Sequence, residues 1–215
     1  MIKGVIFDLD GVIIETEPQT FGFFRQYLIR HDIYLKDDDL FKKIGRKSID
    51  FFYDVLSTEE FKKIDVQYLI DLKRQKFNQD LKKFTRKIPY AEEVIYKLKE
   101  RGMRLALASQ NEKEMIDNVL GWMGLSKHFD VVLSLRDIHN KKPHPEIYQK
   151  AVTQLLLQPK ETAVVEDSWT GVAAAKAAGL YCIAIRHPYT PPEQIKDADA
   201  VITSLEELPA LLQEN

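Results

Sequence analysis

The chain has 215 residues, 45% hydrophobic and 30% charged, with 31 Lys and Arg against 33 Asp and Glu, for a formal net charge of −2. That balance describes an ordinary soluble globular protein with room for one domain or a core plus a smaller partner. It leaves no global field to draw the chain to nucleic acid or an anionic membrane, so neither is expected as a partner. No charged-then-apolar leader opens the sequence, and no apolar run is long enough to span a bilayer, so the expected location is cytoplasmic. The expected state is a monomer or a weak homo-oligomer. The single cysteine, Cys182, cannot form an internal disulfide and reads as a small core residue in the apolar run Tyr181–Ile185.

The first predicted element is a strand containing Ile2, Val5, Ile6 and Phe7, and it runs directly into Asp8-Leu9-Asp10-Gly11. Two carboxylates held this close repel unless a cation joins them or one stays protonated. A strand followed by an Asp-Gly turn would also account for the segment without any chemistry.

From about residue 15 to 85 the texture is helical. Phe21, Phe24 and Leu28 recur at helical spacing, as do Ile70, Phe77 and Leu81. The runs Asp37-Asp38-Asp39 and Lys62-Lys63 read as solvated helix faces and starts. From residue 86 onward, short apolar runs alternate with helical patterns, which predicts βα units and a parallel sheet. Strands are expected at 104–109, 129–134, 162–166, 182–185 and 200–202. Helices are expected near 112–120, 145–156, 168–178 and 205–212, with Gly179 suited to a left-handed cap after the third of these. The expected fold class is therefore α/β: a Rossmann-like parallel-sheet core (1–14 and 86–215) with an inserted all-helical cap domain (15–85).

Polar groups recur at the strand ends. The first strand ends in Asp8 and Asp10, the second in Ser109 and the fourth in Glu166-Asp167, while Lys142 follows the third by a short loop. In a parallel sheet these ends share one edge and can converge on a single crevice. Hard carboxylate oxygens suit Mg²⁺, which binds through few protein ligands and leaves room for water and a substrate phosphate. Lys142 offers a point charge and Ser109 a hydroxyl, both suited to phosphoryl oxygens. An Asp can attack phosphorus, and a second carboxyl can protonate the leaving oxygen and then activate water. Each residue also has a plainer role. Lys142-Pro143 can be a turn before a helix with Pro145 at its first position, and Ser109, Asp167 or Ser168 can simply cap the helices that follow.

The ordered set Asp8-Leu-Asp-Gly-Val-Ile13, Ala108-Ser109, Lys142-Pro-His-Pro-Glu-Ile-Tyr148 and Val165-Glu-Asp-Ser-Trp-Thr-Gly171 through Gly179 resembles the haloacid dehalogenase-like hydrolase superfamily. The likeness covers essentially the whole chain. A helical insertion after the first motif, entered through Glu15-Thr-Glu-Pro18, is similar to that of the subgroup containing β-phosphoglucomutase and sugar-phosphate phosphatases.

The resemblance implies a nucleophile and metal ligand at Asp8, and an acid/base at Asp10 whose backbone carbonyl joins the metal. It implies phosphate binding by Ser109, Gln110 and Lys142, and completion of a Mg²⁺ site by Glu166 and Asp167. Substrate specificity would fall to Glu17, Arg46 and Lys47 in the insertion. The presence of Asp10 and Asp167 argues against dehalogenase chemistry. Thr20 and Ser48 stand where the mutase pattern has a histidine and an arginine, which favours phosphatase over mutase. The expected partner is a small phosphorylated metabolite such as a sugar phosphate. A hexose phosphate mutase and a non-catalytic binding module are the alternatives.

Overall fold

In the computed structural model, which describes residues 1–43 and 48–213, the chain opens with β1 (Gly4–Phe7) and leaves the sheet through β2 (Ile14–Glu15). Among the described residues six helices follow: α1 (Glu17–Ile29), α2 (Asp39–Lys43), α3 (Ser48–Val55), α4 (Thr58–Lys63), α5 (Val66–Gln79) and α6 (Leu81–Phe84). The chain returns through β3 (Arg86–Lys87), which pairs with β2 in a two-stranded ribbon. The remainder runs α7 (Ala91–Glu100), β4 (Arg104–Ala108), α8 (Lys113–Met123), β5 (Val131–Leu133), α9 (Glu146–Gln154), β6 (Thr162–Glu166), α10 (Trp169–Ala177), β7 (Tyr181–Ile185), β8 (Ala200–Ile202) and α11 (Leu208–Leu211). Contacts divide the chain into two units, Met1–Ile14 with Lys87–Asn215, and Glu15–Arg86.

In the first unit β1 and β4–β8 form one parallel sheet of order β5-β4-β1-β6-β7-β8. Its central strands are buried along nearly their whole length, as a parallel sheet covered on both faces requires. On one face Ile6, Ala106, Val164, Cys182 and Ala184 pack with Ile147, Ala151 and Val152 of α9 and with Val172, Ala174 and Ala175 of α10. Cys182 is thus a core residue, and burial pushes its thiol well above the usual range.

β1 lies at the topological switch point, with β4 on one side and β6 on the other. Phe7 is level with Leu107 and Val165. The ladder continues one residue further, since Asp8 N–H donates to Val165 O at 3.1 Å and Ser109 N–H to Leu133 O at 3.1 Å. This register fixes the residues just past three strand ends on the edge where open α/β sheets hold their ligands.

The second unit is helical. Phe21, Phe24, Leu28, Phe51, Phe52, Val66 and Leu69 form its core. Ser57 and Glu60 make a reciprocal capping box on α4, and Asp65 caps α5 by accepting from Tyr68 N–H.

Local expectations from the sequence are met in some places and not in others. The helix after Ser109 begins only at Lys113, with Glu112 at its cap, so Ser109 does not cap it. Ser168 does cap α10, accepting from Gly171 N–H. Gly179 has φ +72°, and Leu180 N–H reaches back to Ala175 O at 3.1 Å, the expected left-handed stop. The stretch 205–212 is a 3₁₀ turn at Leu205–Glu207 followed by α11, because Pro209 lacks an N–H and is tolerated only near a helix start. Asp39, read as part of a solvated run, is buried and accepts from Lys36 N–H and Lys42 Nζ, each at 2.8 Å.

Candidate active site

β1 and β6 end in acids, and Lys142 is delivered between them from the loop after β5. The Lys142 side chain is 5% exposed, and its ammonium bridges Asp8 Oδ1 and Glu166 Oε1, the latter at 2.6 Å. A third proton is directed at Ala108 O at 3.3 Å, so all three donors of the ammonium are used. The ammonium also lies 4.8 Å from the centre of the Tyr148 ring, a cation–π contact in a buried setting.

Glu166 is fully buried and completely engaged. Its Oε1 accepts from Lys142 and from Tyr148 OH at 2.5 Å. Its Oε2 accepts from Asp167 N–H at 3.0 Å, Ser168 N–H at 3.3 Å and Ser168 Oγ at 3.1 Å. Burial opposes the Glu166 charge, yet Lys142 and these donors hold its carboxyl below the usual range. The same two carboxylates outweigh burial at Lys142 and hold the ammonium above its usual range.

Asp8 carries the residual tension. Burial raises its carboxyl to about 7; Lys142 opposes the rise, and Glu166 and Asp10 add to it. One ammonium is shared by two buried carboxylates, Asp8 and Glu166.

Two glycines allow the acids to sit where they do. A Cβ on Gly11, whose φ is +73°, would fall 1.8 Å from Asp167 Oδ2, so the Asp167 carboxylate lies directly against the turn that carries Asp10. A Cβ on Gly171 would fall 1.7 Å from Glu166 Oε1. Gly171→Ala is therefore expected to displace the Glu166 carboxylate and cost on the order of 1–3 kcal/mol, measurable by urea unfolding of the metal-free protein. An unchanged unfolding midpoint would show that the α10 turn can yield without disturbing Glu166.

Of the expected phosphate-binding residues, Ser109 is buried, and its Oγ accepts from Asn111 N–H at 3.2 Å in a local turn. Gln110 beside it holds a buried Nε2 that donates to nothing among the described residues. An orphaned donor of this kind is costly unless a ligand supplies the acceptor.

Asn111, beside Gln110, is a site residue outside the expected set: its side-chain amide donates to Asp10 Oδ2. Tyr148 is another. At its helical spacing it reads as core, and nothing in the pattern reveals that its hydroxyl reaches Glu166. Glu17 lies in the helical unit, where its two oxygens accept from the buried Lys43 ammonium at 3.3 and 3.0 Å. Arg46 and Lys47 fall outside the described residues.

A six-stranded parallel sheet with acids at its switch point and an inserted helical unit is a Rossmann-like α/β architecture. The comparisons give the family: the model of the haloacid dehalogenase-like hydrolases matches residues 5–185, and the chain belongs to that family. Within it, the chain falls in the β-phosphoglucomutase and phosphatase-like subgroup. A phosphorylated carbohydrates phosphatase of Thermotoga maritima is 31% identical over 99% of this chain and 99% of its own length. CbbY from Rhodobacter sphaeroides, solved in complex with xylulose-(1,5)bisphosphate, is 25% identical with a TM-score of 0.77, covering 97% of this chain and 96% of CbbY. The β-phosphoglucomutase of Clostridium difficile shares the fold, with 24% identity and a TM-score of 0.75 over 100% of this chain and 96% of its own. No helix among the described residues is long and apolar enough to cross a membrane.

Proposed function

We propose that the protein is a Mg²⁺-dependent phosphatase that hydrolyses a small phosphorylated metabolite, a sugar phosphate by preference, through an aspartyl-phosphate on Asp8. The observation that carries this reading is the sharing of the one buried Lys142 ammonium by two buried carboxylates, with Asp8 raised to about 7. The donor set fits a hard divalent cation, since Asp8, Asp10 and Asp167 offer oxygens and Mg²⁺ prefers such ligands. Among the described residues no three acids, histidines or cysteines close into a ready-made cage. Mg²⁺ does not require one, because it keeps several waters and takes a phosphate oxygen from its substrate. Glu166 was expected to join the metal. With both oxygens engaged, it is better suited to holding Lys142, and we assign it that role. The bound ion would neutralise charge on the phosphoryl oxygens.

The chain's own residues then divide the chemistry. Ser109 and the orphaned amide of Gln110 hold the transferring phosphoryl group, and Lys142 joins them with the donor it gives to Asp8 before that oxygen attacks. Asp8 attacks phosphorus, forming one P–O bond as the bond to the leaving oxygen breaks, and Asp10 protonates that oxygen. Asp10 then takes a proton from water as the water attacks the aspartyl-phosphate, releasing phosphate and restoring Asp8. Asn111 keeps one Asp10 oxygen oriented through its amide. Substrate choice is assigned to the helical unit. There Glu17, already neutralised by Lys43, serves to hold α1 to α2, and Arg46 and Lys47 supply positive charge for the substrate.

The test is a phosphatase screen over sugar phosphates, nucleotides and phosphorylated acids, with and without Mg²⁺. Metal-dependent phosphate release is expected on at least one sugar phosphate; no release across the panel would refute the reading. Asp10→Asn is expected to lower kcat by about 10²–10⁴-fold on a generic aryl phosphate, and an unchanged rate would remove its acid/base role. Conversion of β-glucose 1-phosphate without phosphate release, given a bisphosphate activator, would instead establish a mutase.

A further inference from the structure

The turn that carries Asp10 is closed mainly by its own backbone. Leu9 O accepts from Ile13 N–H at 2.9 Å and Ile14 N–H at 3.0 Å, and Gly11 N–H donates to Ile14 O at 2.6 Å. These bonds fix the peptide before Gly11. None of them is made by the Gly11 carbonyl, on the residue with the widest choice of backbone conformation. That carbonyl has a partner from a distant part of the chain. His187, two residues beyond the end of β7, places its Nε2 2.6 Å from Gly11 O. A carbonyl only accepts, so Nε2 carries the proton in this contact. The ring is itself held by stacking on Tyr189, with centroids 5.3 Å apart and planes 18° apart.

We propose that His187 is a positioning residue for the acid/base turn: its Nε2–H fixes the Gly11 carbonyl, and thereby the orientation of Asp10 and the seat of Asp167 against Gly11. The physical reason is the glycine. Gly11 must lack a Cβ because the Asp167 carboxylate occupies that space, and at φ +73° it adopts a conformation that side-chain-bearing residues avoid. The same permissiveness lets the peptide after it rotate at little cost, unless something outside the turn restrains it. Within the turn that peptide makes a long bond of its own, from Val12 N–H to Leu9 O at 3.4 Å. His187 adds a shorter one, from its Nε2–H to the Gly11 carbonyl at 2.6 Å.

The bond is made to the backbone rather than to a carboxylate, so the effect is indirect. Hydrogen bonds that orient metal and acid ligands commonly govern activity in this way, and their loss costs about 10–100-fold. The kinetic part of the inference rests on the phosphatase reading above. The structural part does not.

The experiment compares His187→Phe, which keeps a flat ring to stack on Tyr189 but cannot donate, with His187→Gln, whose amide can restore the donor. In the metal-free protein, hydrogen exchange of the peptide containing Gly11–Ile14 is expected to be roughly fivefold faster in His187→Phe, the loss of one hydrogen bond, and near wild type in His187→Gln. On an aryl phosphate, kcat is expected to fall about 10–100-fold in His187→Phe with KM little changed, the Mg²⁺ concentration for half-activation is expected to rise, and His187→Gln should recover most of both. If His187→Phe does not fold, His187→Met replaces it as the donor-free counterpart of equal length to Gln. Unchanged exchange in a folded donor-free variant overturns the proposal, and so does faster exchange with unchanged kcat. Should the wild type release no phosphate from any substrate, the phosphatase reading fails, and the exchange comparison still decides the positioning of the turn.

Discussion

Asp8→Asn is expected to abolish turnover, by on the order of 10⁴-fold or more, while leaving the chain folded. The amide keeps the shape of the carboxyl and can still accept from Lys142, but it cannot attack phosphorus. Full activity of the variant on an aryl phosphate would refute the aspartyl-phosphate route. The same substitution has a consequence for stability, and the sign follows from the direction of the shift. In the metal-free protein the Asp8 carboxyl is raised from 3.8 to about 7, chiefly by burial. Between those values the folded chain binds a proton that the unfolded chain has released, so the wild type loses stability as pH rises through that window. Asparagine does not titrate. Metal-free Asp8→Asn should therefore match the wild type near pH 4 and exceed it at pH 8, as thermal unfolding in a chelator would show. A variant less stable than the wild type at pH 8 would mean that the contact with Lys142 outweighs the burial of the charge.

Lys142→Met is the second large effect. It leaves Asp8 and Glu166 buried with no compensating charge and removes the donor to Ala108 O. Removing one partner of a buried ion pair costs about 3–5 kcal/mol, because the other is stranded without water or counter-charge. Urea unfolding of the metal-free variant should show that loss, and kcat should fall with it, since the variant also lacks the cation that binds the phosphoryl group. Mg²⁺ is expected to stabilise Lys142→Met more than it stabilises the wild type, because the ion supplies positive charge where the lysine no longer does. A variant within about 1 kcal/mol of the wild type, the range of an exposed pair, would show that water reaches the cluster and screens it.

Much of this site could be read along the chain. Asp8, Ser109 and Glu166-Asp167 each end an apolar run, and a parallel sheet aligns such ends whatever the intervening residues do. The register of β1 against β4 and β6 came only with the structure. Other features left no such trace. Asn111 reaches Asp10 across 101 positions, Tyr148 reaches Glu166 across 18, and His187 reaches Gly11 across 176. Each of these residue types fits its own local element without needing a distant partner. The split of the stretch 205–212 into a 3₁₀ turn and a short helix was visible in principle at Pro209, but helical spacing masked it.

The sequence by itself determined the α/β class, the inserted helical segment and the residues at the strand ends, because periodicity and the chemistry of side chains are local properties. Only the tertiary structure decided how the charges are shared. It put one buried ammonium between Asp8 and Glu166, saturated Glu166 and left Asp8 as the acid in tension. That outcome depends on which groups share a low-dielectric space, and no spacing along the chain encodes it.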